Sequence, residues 1–217
     1  KPGPGMFISE YLEKKGPGIN HIAFNTSDIE RDTKRFLENG CDLVFNVTVN
    51  GRTIENYLDT RKHGDVMISL RPPADEWEIT WRENNRSHPL VKNWKFSGVG
   101  IVVDDCELAT EYFLNLGFPL IKEVHESQDL GVKFCHLKVG SMMFELIQPI
   151  TDNSVYKECF NMRGEGIVDM SFVVEELESE IESLVGKGAE LLVATNEFAV
   201  IDTRREGNTL IRLFNNA

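Results

Sequence analysis

The chain has 217 residues, of which 41% are hydrophobic and 27% charged, the make-up of a globular protein with a sizeable core. A net charge of −12 argues against a nucleic-acid partner, because phosphate binding draws on clustered Lys and Arg. No apolar run reaches the length of a membrane span, no Lys/Arg-led apolar leader is present, and the four cysteines form no C-x-x-C pair. These features predict a cytoplasmic protein whose Cys41, Cys106, Cys135 and Cys159 are buried, reduced thiols.

In chain order, residues 1–15 read as a linker or the remnant of a helix, and the start at Lys1 suggests a chain trimmed or excised from something longer. Ile19–Asn25 has the length and apolar content of a strand. Ser27-Asp28-Ile29-Glu30 then reads as a capping box, with Ile29, Phe36 and Leu37 at helical spacing and Gly40 as the stop. Three strand-like runs follow, Leu43–Val49, Thr53–Thr60 and Val66–Arg71. They are joined by the hairpin dipeptide Asn50-Gly51 and by His63-Gly64-Asp65. Strand, helix and three strands make one βαβββ module over 16–72.

Residues 73–94 form a linker with all three tryptophans in or beside it. Trp77 and Trp81, four apart, can share a helical face and are expected to pack this segment against the rest. A second module spans 95–149. Gly98–Val103 is its first strand, Asp104 and Glu107 cap its helix, and Gly117 ends that helix. Leu120–His125, Val132–Val139 and Met142–Gln148 are its remaining strands.

The third module is found by laying the chain on itself. Leu12–Val44 matches the stretch from Phe160 at a constant offset of 148 positions without a gap, placing Gly16 on Gly164, Phe24 on Phe172 and Gly40 on Gly188. The fold class predicted is therefore α+β. Repeated βαβββ modules form curled mixed sheets around a cleft, with helices outside, and the modules over 95–217 pair into one domain.

These residues also carry a family resemblance. GPGINHIAF (16–24) with its cap, and SGVGIVVDD (97–105), are similar to the opening strands of vicinal-oxygen-chelate modules. That superfamily includes glyoxalase I, methylmalonyl-CoA epimerase, bleomycin-resistance proteins and extradiol dioxygenases. FELIQP (144–149) resembles the last strand of such a module, and LEKKGPG (12–18) and FNMRGEG (160–166) resemble the link between the halves of one domain. The resemblance implies a divalent metal held by first-strand and last-strand residues. Carried over by position, 16–72 offers His21 and Ser69, 95–149 offers Gly98 and Glu145, and the third module offers Asp169 and Arg212.

The ligand set is thus incomplete: glycine donates nothing and arginine is a permanent cation. A metal centre is left with His21 and Glu145 as its candidate ligands, a hard ion such as Mg²⁺ remains compatible with the carboxylates, and the cofactor is unknown. His21 reads either as a ligand or as a core histidine. Glu145 and Asp169 interrupt apolar strands, where an unpaired carboxylate is costly to bury, so they and Arg212 are the candidate catalytic group. His136 reads equally well as cleft-facing or helix-covered.

The resemblance implies an isomerase, epimerase or lyase acting on a small oxygenated metabolite, with Glu145 or Asp169 as base and Arg212 holding the oxyanion. The alternatives are a metal-free binding protein of the bleomycin-resistance kind, or a domain of a larger biosynthetic enzyme. Half a domain over 16–72 leaves an open sheet. A homodimer, a missing N-terminal module or the Trp-bearing segment 73–94 is expected to cover it.

Overall fold

A computed structural model describes residues 7–85 and 93–216 of the chain. The predicted α+β class holds: helices alternate with two mixed sheets, one of four strands and one of eight. By contact the described chain falls into two units. The smaller holds residues 21–62, 66–85 and 93–94, and the larger holds 7–20, 63–65 and 95–216.

The smaller unit runs β1 (His21–Asn25), α2 (Ile29–Glu38), β2 (Asp42–Val49), β3 (Arg52–Asp59), β4 (Met67–Arg71) and α3 (Glu76–Asn85), with sheet order β1-β4-β3-β2. The first and last strands run parallel, His21 beside Met67, while the two hairpins are antiparallel. Asn50 and Gly51 both have positive φ (52° and 78°), the conformation a tight hairpin turn asks for. The helix cap sits one residue later than the sequence suggests. The Asp28 carboxylate accepts the Arg31 N–H at 2.9 Å, and the Asp28 N–H itself goes to the Thr26 hydroxyl.

The tryptophan expectation is corrected. Trp77 and Trp81 lie on α3 but are 72% and 55% exposed, so this helix is not anchored by burying them. The remainder of that linker, 86–92, lies outside the described residues, as do 1–6 of the N-terminal linker.

The larger unit opens with α1 (Phe7–Lys15), then runs β5 (Lys95–Val102), α4 (Cys106–Asn115), β6 (Leu120–Ser127), β7 (Val132–Val139) and β8 (Met142–Pro149). After α5 (Val155–Arg163) come β9 (Gly166–Val174), α6 (Leu177–Gly186), β10 (Glu190–Ala194), β11 (Phe198–Asp202), α7 (Arg204–Gly207) and β12 (Leu210–Asn215). Its sheet order is β10-β11-β12-β9-β5-β8-β7-β6, so the modules predicted over 95–217 join through their first strands, β5 against β9. Here too the cap shifts by one. Asp105 accepts the Leu108 N–H at 2.8 Å, while the Asp104 N–H goes to the Glu165 carboxylate.

Helices cover both faces of this sheet. Phe144 of β8 meets Phe113 of α4 at a ring separation of 5.9 Å, which puts Phe144 on the α4 side. Ile147 projects from the opposite face, because strand side chains alternate. It packs with Val102, Val200, Leu210 and the α5 residues Tyr156 and Cys159. Glu145, two residues before Ile147, shares that α5-facing side. All four cysteines are buried free thiols.

The segment before β1 belongs to the larger unit through a polar clasp. The Arg163 guanidinium donates to the Tyr11 hydroxyl (2.6 Å), to the Lys15 and Pro17 carbonyls (3.2 Å each) and to the Asn208 carbonyl (2.8 Å). The Glu165 carboxylate accepts backbone N–H groups from Gly64 and Asp104 at 3.0 and 2.9 Å, and Lys15 pairs with Asp65.

Candidate functional site

Strand register gathers the candidate residues of the larger unit. In the β7–β8 hairpin His136 lies opposite Glu145, Glu145 lies beside Gly100 of β5, and Gly100 lies opposite Asp169 of β9. Directly paired positions project to the same face, so four strands contribute one row. On β12 Leu210 pairs with Asp169, and Arg212, two residues on, rises from the same face. Glycine at 100 lets the row close: a Cβ there would land on the Asp169 carboxylate, whose Oδ1 instead accepts the Gly100 N–H at 2.9 Å.

The row is a buried ionic cluster. Asp169, Glu145 and Arg212 are 0%, 2% and 2% exposed. Arg212 donates through Nη1 to Glu145 Oε1, and its Nη2 stands 3.3 Å from Asp169 Oδ2. Asp169 also accepts from the Tyr156 hydroxyl at 2.9 Å and from the Ser171 hydroxyl at 3.2 Å. The remaining Glu145 oxygen meets His136 Nε2 at 2.5 Å, and the His136 side chain, 16% exposed, is the end of the cluster that reaches solvent. Arg212 Nε is buried with no hydrogen-bond partner among the described residues.

Burial and charge pull these groups apart. Burial raises the Asp169 carboxyl above the usual range, and the Arg212 charge only partly offsets this. Burial pushes Glu145 up as well, but Arg212 and His136 together outweigh it and hold the carboxyl below its ordinary value. Arg212 is pushed down by burial, yet the two carboxylates raise it overall, and Tyr156 is driven well up by burial. Two carboxylates against one guanidinium leave one negative charge, and Asp169 is the carboxyl whose surroundings favour a proton.

The four positions implied as metal ligands do not fit a divalent transition ion. At Gly98 any Cβ would collide with the Met143 backbone, so that position has no room for a donor side chain. At Arg212 a guanidinium stands against both carboxylates. Zinc sites that do chemistry keep three protein ligands, and here two remain, both engaged by Arg212. Among the described residues no group of three or more His, Cys, Asp and Glu is placed to hold a metal.

His21 belongs to the other unit. Its ring lies 5.3 Å from that of Tyr57, and burial lowers its pKa against an opposing pull from Glu55. Ser69, the position paired with it by the resemblance, donates to Glu55 at 2.8 Å. The two residues proposed as metal ligands, His21 and Glu145, thus sit on different sheets.

Sequence reasoning left His136 undecided and overlooked Tyr156 and Gly100. The partner of His136 has a readable signal: a two-residue loop at Gly140-Ser141 pairs Val139 with Met142, and counting back sets His136 across from Glu145. No local pattern announces Tyr156, which reaches Asp169 from α5.

A sheet of two βαβββ modules joined through their first strands, with charged side chains of both converging on one face, defines a glyoxalase-type fold. The model of the glyoxalase/bleomycin resistance protein/dioxygenase superfamily matches residues 98–204, and over that stretch the chain is similar to this superfamily. A methylmalonyl-CoA epimerase from Mycobacterium tuberculosis is similar at 26% identity and a TM-score of 0.52, over 60% of this chain and 92% of that one. A mutant 4-hydroxymandelate synthase from Streptomyces coelicolor shares the fold over 98% of this chain and 74% of its own, at 15% identity and a TM-score of 0.70. A hypothetical protein from Bacillus halodurans C-125 aligns at 21% identity over 58% of this chain and 96% of its own, with a TM-score of 0.50. No curated protein matches the chain. Among the described residues no helix is long and apolar enough to cross a membrane.

Proposed function

We propose that the larger unit is an isomerase or epimerase that moves a proton on a small oxygenated metabolite without a divalent metal. His136, backed by Glu145, is the group that moves it. The observation that carries this reading is the 2.5 Å contact between His136 Nε2 and Glu145 Oε2, with His136 at the solvent end of a cluster otherwise sealed. A carboxylate behind an imidazole fixes its orientation and which ring nitrogen bears the proton, the arrangement general acid–base chemistry uses. Arg212 grips the other Glu145 oxygen and so keeps that carboxylate from turning away. Asp169 and Arg212 serve as positioning residues, because their burial leaves no path to a substrate atom. Likeness to an epimerase at 26% identity points the same way.

The test is deuterium uptake from heavy water into a panel of α-substituted acyl thioesters and 2-oxo acids, read by mass spectrometry. Exchange with the wild-type protein is expected for at least one class and is lost in His136→Gln with the fold intact by circular dichroism. Exchange that survives in His136→Gln refutes the role given to that residue. The metal-free binding protein is the second reading, favoured by the saturation of Asp169 with four kinds of donor. Saturable binding of a panel member with no exchange would establish it instead.

A further inference from the structure

Two cysteines meet on the face of the larger sheet opposite the ionic cluster. Cys106 is the first residue of α4 and Thr110 follows one turn later, so both present to the same side of the helix. Cys135 stands on β7 directly across from Leu146 of β8. Leu146, two residues after Phe144, faces α4, and its paired residue Cys135 faces α4 with it. Cys106 Sγ reaches the Leu146 carbonyl at 3.7 Å. The Thr110 hydroxyl donates to the Cys106 carbonyl at 2.6 Å and lies 2.9 Å from Cys135 Sγ. Both cysteines are 0% exposed.

We infer that Cys106 and Cys135 are a peroxide-sensitive dithiol that closes to a disulfide and staples α4 to β7. His136 and Glu145, the chain neighbours of Cys135 and Leu146, point to the other face, so the staple would fix from behind the strand pair that carries their contact.

The surroundings divide the labour between the two sulfurs. A hydrogen bond from the Cys106 thiol holds Cys135 below the ordinary thiol value, against the opposing pull of burial. The same bond, together with burial, raises Cys106 and keeps it protonated. Cys135 is therefore the nucleophile. Its thiolate attacks one oxygen of hydrogen peroxide, the O–O bond breaks, and Cys135 becomes a sulfenic acid as hydroxide leaves. The Cys106 sulfur then attacks the Cys135 sulfur, the S–S bond forms, the S–O bond breaks and a second hydroxide leaves. The two thiol protons turn both hydroxides into water. One peroxide is reduced to two waters while two thiols are oxidised to one disulfide.

Burial sets the selectivity. A molecule close to water in size can enter on a small opening at the start of α4, whereas a bulky thiol cannot follow it, which leaves Cys106 to meet the sulfenic acid. Cys41 and Cys159 are 5% and 4% exposed, so oxidation governed by access alone would reach them first.

The test treats the native full chain with hydrogen peroxide, alkylates the remaining thiols after unfolding, and maps the peptides by mass spectrometry. A Cys106–Cys135 link is expected to form several-fold faster than any oxidation of Cys41 or Cys159, and dithiothreitol should reverse it. Faster oxidation of Cys41 or Cys159, a link to any other cysteine, or oxygen added to Cys106 or Cys135 without linking overturns the proposal. So do thiols left untouched at a dose that oxidises the unfolded chain. Dimedone, which traps sulfenic acids, tests the order of events. Label is expected on Cys135 in Cys106→Ala and none on Cys106 in Cys135→Ala, and the reverse pattern overturns the role of Cys135 as nucleophile. The wild-type map decides the pairing even where a variant fails to fold.

Discussion

Removing the Arg212 side chain would leave Glu145 and Asp169 adjacent, almost without solvent and with no guanidinium to answer them. Breaking a buried ion pair from one side typically costs about 3–5 kcal/mol, since the charge left behind has nothing to answer it. Arg212→Met is therefore expected to lower the urea midpoint of the larger unit by a loss of about that size. Adding Glu145→Gln to it should recover part of the loss, because residues in one network are not additive. The pH dependence has two signs. Glu145, held below its ordinary value, contributes stability above the unfolded-state pKa that is lost as pH falls through the lower folded value. Asp169, held above its ordinary value, contributes in the opposite direction: its share is present below the unfolded pKa and fades as pH rises through the folded one. Acid titration of Glu145→Gln, followed by circular dichroism, should show a shallower acid-side loss than wild type. An unchanged slope would mean that other carboxylates dominate.

At the scale of elements, β5 shows how strictly one position can be set. Gly100→Ala would place a methyl group where the Asp169 carboxylate lies, forcing that carboxylate off the Gly100 N–H and away from Tyr156. Overpacking of this kind costs about 1–3 kcal/mol, and thermal unfolding of Gly100→Ala should show it. A substitution as stable as wild type would mean the cluster can shift freely. The strands were legible because Asn50-Gly51 and the apolar runs between turn residues leave few alternatives, and the offset between Gly16 and Gly164 exposed the repeat. The caps were misplaced by one residue, because adjacent Ser27-Asp28 and Asp104-Asp105 each offer two capping side chains and the second of each pair takes the role. Trp77 and Trp81 misled because spacing on a helix says which residues share a side, while burial depends on what lies opposite. Glu145, Asp169 and Arg212 stood out as charges in apolar strands, but that Arg212 meets both carboxylates depends on pairing across β8, β5, β9 and β12, which no local pattern encodes.

For the whole molecule the donor set governs metal affinity. A chain whose two candidate carboxylates already share a guanidinium should bind Zn²⁺ or Co²⁺ weakly, because the fixed positive charge opposes the ion. Titration is expected to show no tight stoichiometric uptake, and chelation by EDTA no shift in thermal midpoint. Uptake near one ion per chain that disappears in Glu145→Gln would show that Arg212 yields its place. The molecule also carries its own reporters of opening. Cys41 is 5% exposed in the smaller unit, while Cys106, Cys135 and Cys159 are at most 4% exposed in the larger. A thiol must reach solvent before an aromatic disulfide reagent can attack it, so labelling under native conditions times local unfolding. Mass spectrometry of partly labelled protein should find Cys41 modified on a schedule of its own, set by the unit that holds it, and Arg212→Met should quicken only the other three.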